Sequence, residues 1–133
     1  MAACKHIPIY AGAVNLIHNT DVIGAVDVWI CSTCKELFCE EKRWGLTEVS
    51  SDLGFVEAKR GSKWAVLICK GEKSVEWSLI TVSVGDRLVH KCSSSEDVIL
   101  RVSRDFEIET ETPVKNKHLL YPVEQYINGT IKI

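Results

Sequence analysis

Two cysteines separated by two residues, Cys31 and Cys34, lie in the segment Trp29-Ile30-Cys31-Ser32-Thr33-Cys34-Lys35-Glu36-Leu37-Phe38. Thiolates at this spacing can converge on one tetrahedral ion while amides of the intervening turn support the sulfurs, which is why structural zinc sites reuse it. Such a pair supplies half of a closed site. Two further pairs could supply the rest. His90-Lys91-Cys92 closes an expected strand, where residues two apart project to the same side, and Cys4-Lys5-His6 follows the same logic near the N-terminus. Cys69, just before Gly71, could replace a member of either pair. The preferred set is Cys31, Cys34, His90 and Cys92, because hairpin ends inside a sheet are held more firmly than a chain terminus. The implied cofactor is a structural Zn2+.

The other thiols and imidazoles read differently. Cys39 and Cys69 have apolar neighbours and suit core packing, and His18 and His118 have no cysteine close in sequence, so they read as surface or satisfied core histidines. A redox C-x-x-C normally opens a helix in a βαβ context, which does not surround Cys31. A thiol protease would need a cysteine activated beside a histidine, with Cys34 or Cys39 and His90 as the pairing. Dinucleotide, P-loop, zincin and serine-hydrolase motifs are absent, so the chain reads as a non-enzyme, with a thiol-dependent protease or redox enzyme as the alternative.

These residues sit in a chain of 133 residues that is 46% hydrophobic and 26% charged, the profile of a single domain spanning 1–133. A core of this size does not need disulfides, so six cysteines call for another use. No charged segment leads into an apolar stretch at the start, and runs such as residues 64–69 fall far short of a membrane span. The expectation is a soluble intracellular protein, where thiols stay reduced or bind metal. A net charge of −2 gives no global nucleic-acid footprint. Local basic pieces (Lys42-Arg43-Trp44, Lys59-Arg60 with Lys63-Trp64, Lys70 with Lys73, Lys115 with Lys117) leave an RNA-binding module as a further alternative, offset by Glu40, Glu41 and Glu57.

The elements that would position the site are mostly strands. Residues 22–30, 64–69, 75–84, 87–91, 98–102 and 106–110 carry strand patterns, Gly85-Asp86 reads as a turn, and Asn128-Gly129 reads as a hairpin turn between residues 126–127 and 130–131. Residues 11–18 suit a short helix or a strand. Residues 46–59 carry Thr47 and Ser50 as helix caps but are interrupted by Gly54, so at most a short helix fits. The fold class expected is α+β, β-rich, with antiparallel sheet and a zinc-knuckle-type turn. Four tryptophans and Ile-rich C-terminal strands with a free edge add a homodimer as a partner state.

The layout of an apolar N-terminal third, Trp29-Ile30-Cys31-Ser32-Thr33-Cys34 followed by an aromatic residue, and a later Cys/His pair resembles the small zinc-finger silencing suppressors of sobemoviruses. On that resemblance Cys31 and Cys34 match the first metal pair, and His90 and Cys92 take the role of the second. It implies a viral accessory protein that suppresses host RNA silencing and aids virus movement. Its partners would be host silencing-pathway proteins, with RNA as a further one, in the host cytoplasm or nucleus. Its thiolate ligands would make the fold redox-sensitive. Ala3-Cys4-Lys5-His6 with a later C-x-x-C also resembles cardiovirus leader proteins, with a longer gap between the two pairs.

Overall fold

The computed structural model describes residues 4–43, 53–55, 62–71, 75–91, 97–111 and 116–133. Among them are eleven strands: β1 (Pro8–His18), β2 (Asp21–Cys31), β3 (Leu37–Arg43), β4 (Leu53–Phe55), β5 (Lys63–Lys70), β6 (Val75–Val82), β7 (Arg87–Lys91), β8 (Asp97–Val102), β9 (Ile108–Thr110), β10 (Lys117–Pro122) and β11 (Thr130–Lys132). The only helical element among the described residues is the 3-10 turn Val123–Gln125. The fold is therefore β-rich and built mainly from antiparallel pairings, and the α component of the expected α+β class is not found among the described residues. The reason is visible in residues 11–18, where buried Val14 and Leu16 flank exposed Asn15: this is the two-residue period of a strand. Most of residues 46–59 lies outside the described residues, and Leu53–Phe55 within it is strand.

The chain's contacts group into two compact units. The first comprises residues 1–46 with 124–133, the second residues 47–123. In the first unit the sheet order is β11-β1-β2-β3. The long β1–β2 hairpin is antiparallel, with a bulge between Tyr10 and Gly12, and β11 joins β1 in parallel. Val14, Leu16, Val26, Val28 and Ile131 are fully or almost fully buried here.

Asn128-Gly129 forms a turn but not the expected hairpin. The Gly129 amide donates to the Tyr126 carbonyl at 2.8 Å, yet the residues before it lead out of the 3-10 turn rather than a strand. The partner of the following strand is β1, reached through Asn128 N–H to Ala13 O and Asn15 N–H to Gly129 O. Gly12, at φ 141°, is required by this closure, because a Cβ there would collide with the Asn128 side chain.

The second unit contains the sheets β10-β5-β6 and β4-β7-β8-β9. Ala65, Leu67, Cys69, Ile80, Val82, Leu88, Val98, Leu100 and Val102 form one buried cluster drawn from both sheets. The expected turn at Gly85-Asp86 is present: buried Asp86 accepts from the Ser83 amide at 2.7 Å and its own amide donates to the Ser83 carbonyl.

Candidate metal centre

Cys31 is the last residue of β2 and pairs with Pro8, the first residue of β1. This register carries the preceding segment, residues 4–7, alongside the turn that follows Cys31, and the Ser32 amide donates to the Ile7 carbonyl at 3.1 Å. The turn closes with the Lys35 amide on the Cys31 carbonyl at 3.0 Å and the Cys31 amide on the Glu36 carbonyl at 2.9 Å. Lys35 adopts a left-handed φ of 65° and its Nζ donates back to the Ser32 carbonyl at 3.0 Å, which ties down a conformation that non-glycine residues seldom hold.

The consequence is a cluster of Cys4, His6, Cys31 and Cys34 whose ligand atoms all lie within 4.8 Å of one another. Cys4 Sγ is 3.8 Å from Cys31 Sγ, and Cys34 Sγ is 3.4 Å from His6 Nδ1. The His6 ring is oriented from its far side, with Nε2 3.6 Å from Glu36 Oε2 and its edge against Phe38 at a centroid separation of 4.8 Å. A carboxylate behind a histidine nitrogen is the usual outer partner of a metal-bound imidazole, fixing the tautomer that leaves the inner nitrogen free to ligate. Beside the cluster, His6, Pro8, Trp29, Phe38 and Glu40 line a shallow groove.

Electrostatics divide the thiols. The Cys34 amide, with help from the His6 ring and the Ile7 and Thr33 amides and against the effect of burial, holds the Cys31 thiol down at about 5. Burial, followed by hydrogen bonds to Cys34 and Cys31, pushes Cys4 up to about 11. The surroundings thus favour a thiolate at Cys31 and disfavour one at Cys4. A dication held there would favour the thiolate at Cys4 as well, because metal ligation displaces thiol protons.

The pairing preferred from the sequence is not the one assembled. Cys31 and Cys34 are joined by the reserve pair, Cys4 and His6, because the β1–β2 register delivers that segment to the turn. His90 instead lies in the second unit, where its Nδ1 is 3.1 Å from Nε2 of His118. Cys92 lies outside the described residues. His90, His118 and Cys69 form a second cluster with ligand atoms within 4.8 Å of one another, all three buried. The sequence reads Cys69 chiefly as core, with a reserve role in either ligand pair, and His118 as a surface or satisfied core histidine. Their relation is a strand register, β10 on β5, that no local spacing reveals.

Cys39 lies on β3 outside both clusters, its thiol pushed up to about 12 by burial. His18 is 3.3 Å from the Ile133 carbonyl. Of the basic pieces, Lys42 is paired with Asp27 at 2.7 Å, Arg43 with Glu41 at 3.0 Å, and Lys63 sits over the Phe106 ring. Trp44, Lys59, Arg60, Lys73 and Lys115 lie outside the described residues. No helix among the described residues is long and apolar enough to cross a membrane.

Comparison of the chain with protein-family models, with curated proteins and with solved structures finds no match in any of the three.

Proposed function

We propose that this is a non-enzymatic viral accessory protein in which a structural zinc ion, held by Cys4, His6, Cys31 and Cys34, fastens the N-terminal segment to the β2–β3 turn. The observation that carries the zinc reading is the convergence of three sulfurs and one imidazole nitrogen within 4.8 Å, with turn amides on Cys31 and a carboxylate behind His6. Four protein ligands fill a tetrahedral shell and leave no position for substrate, which favours a structural over a catalytic ion. Cys31 has the acidic thiol a nucleophile needs, but its side chain is buried, which argues against a protease or redox role.

The biological role rests on the resemblance of the Cys31-Cys34 segment to sobemovirus suppressors. In this reading the protein suppresses host RNA silencing through contacts with host silencing-pathway proteins in the cytoplasm or nucleus, and so aids virus spread. The pairing of Lys42 and Arg43 with acids favours protein contacts over a direct grip on RNA. The test is a silenced reporter co-expressed with the chain in plant tissue, beside metal analysis of the purified protein. The wild type should restore reporter signal, and Cys34→Ser should lose one zinc per chain and the suppression together. Suppression undiminished in a variant that has lost its zinc would overturn the link between site and function. A metal-free wild type with one hyper-reactive cysteine would favour the enzyme reading.

A further inference from the structure

Among the described residues of the second unit, buried Asp86 belongs to its turn, but Cys69, Glu76, His90 and His118 lie buried where a β-sheet core of this size would ordinarily be apolar. In the β10-β5-β6 sheet, His118 is directly opposite Cys69, and Cys69 is directly opposite Glu76. Directly opposed residues of antiparallel strands point to the same face, so imidazole, thiol and carboxylate form one row across three strands. All three are buried, with exposures of 8%, 2% and 4%. His90 of β7, 3% exposed, meets the row from another sheet, its ring set edge-on to His118 at a centroid distance of 5.2 Å. Asn116 completes the surround, with Nδ2 3.6 Å from Cys69 Sγ.

We propose that Cys69, His90 and His118 hold a second zinc ion, with Glu76 in the same cross-strand row supplying balancing charge. The ligand atoms already lie within 4.8 Å of one another, so an ion at their centre would replace the ring-to-ring contact of the two histidines. One thiolate and two neutral imidazoles on a dication would leave one positive charge, which a Glu76 carboxylate, opposite Cys69 in the register, would offset. That balance matters in a buried setting, where an uncompensated charge is costly. Both imidazoles are buried and turn ring nitrogens toward each other, with His118 Nε2 3.1 Å from His90 Nδ1, close to the separation of two nitrogens on one tetrahedral ion. The site draws on β5, β7 and β10 and would cross-link strands belonging to two sheets of the unit.

The experiment is metal counting on the full chain, with cobalt replacing zinc for spectroscopy. Two zinc ions per chain are expected in the wild type, falling to one in Cys69→Ser and one in Cys34→Ser. With three thiolates in the first cluster and one in the second, Cys69→Ser should remove about a quarter of the sulfur-to-cobalt charge-transfer intensity. Because Cys69→Ser could unfold the core, the ligand-retaining variant His118→Cys is the second arm: it should keep two ions and increase the charge-transfer band. A wild type binding a single zinc that Cys34→Ser abolishes, or an ion count unaffected by His118→Phe, overturns the proposal and makes the cluster a hydrogen-bonded histidine pair. Either result leaves the first site standing, because that site is read separately through Cys34→Ser.

Discussion

The Nδ1 atom of His6 lies 3.4 Å from the sulfur of Cys34, 28 residues further along the chain. The contact ties a segment preceding the first strand to a turn after the second, where His6, Ile7, Thr33 and Cys34 are all exposed. A bridging ion would close that loop, and closing a loop of this length stabilises by on the order of 3 kcal/mol through the entropy removed from the unfolded chain. Chelation should therefore loosen residues 4–7 first and leave the β1–β2 ladder largely intact. Hydrogen exchange with and without a chelator reads this at the Ser32 amide, which donates to Ile7. Equal protection in both conditions would show that no ion acts there.

Thiol accessibility gives a second check. Cys34 is exposed, whereas Cys39 is half-buried with its thiol raised to about 12. Alkylation depends on thiolate and access together. At neutral pH, zinc should protect Cys34 from iodoacetamide and its removal should accelerate modification at least about tenfold, while Cys39 stays slow throughout. Peptide mapping by mass spectrometry would distinguish the two, and a chelator-independent rate at Cys34 would contradict metal ligation.

Glu111 accepts two hydrogen bonds from Arg87, at 2.9 and 3.0 Å, and Arg101 approaches to 3.7 Å. The Arg87 hydrogen bonds, followed by burial acting the other way and by the charges of both arginines, hold the Glu111 carboxyl below its ordinary 4.5. Between that value and the lower folded one, the unfolded chain binds more protons, so stability rises with pH across the window. The contribution is complete above about pH 4.5 and is lost as pH falls through the folded value. Arg87→Gln should narrow the gap in urea midpoint from wild type as pH is lowered from about 6 to about 3. A gap that stays constant over that range would refute the assignment.

Gly12→Ala combines a left-handed φ with a collision against Asn128, and should cost at least about 1–3 kcal/mol in urea unfolding. Adding Asn128→Gly removes the obstructing side chain at a position whose own φ of 65° suits glycine, so the double variant should recover part of the loss. Recovery of none of it would mean that backbone strain alone sets the penalty.

Much of the sheet was legible in the sequence, since residues 64–69, 75–84, 87–91 and 98–102 carry their strand character in local alternation or apolar runs. Cys31 and Cys34 were legible for a related reason: their pairing is contained within one turn. The partners were not. Cys4 and His6 reach the turn only through the Pro8–Cys31 register, and His118 meets Cys69 only through the pairing of β10 with β5. Local spacing records which residues lie on a common face of one strand, but which strands become neighbours depends on burial summed over the unit. Asn128-Gly129 marks the same boundary, because the dipeptide specified a turn correctly and said nothing about the strand its successor would join.

The parallel seam between β1 and β11 bears on the order in which the chain is made. The sheet of the first unit takes its edge strand from residues 130–132, which leave the ribosome after every other described strand, while residues 47–123 already contain all the strands of the second unit. During synthesis β1 must wait with one edge open until the whole intervening unit has emerged. A truncation ahead of Thr130, or a bulky fusion placed there, would leave that edge available to other extended segments in a crowded cell.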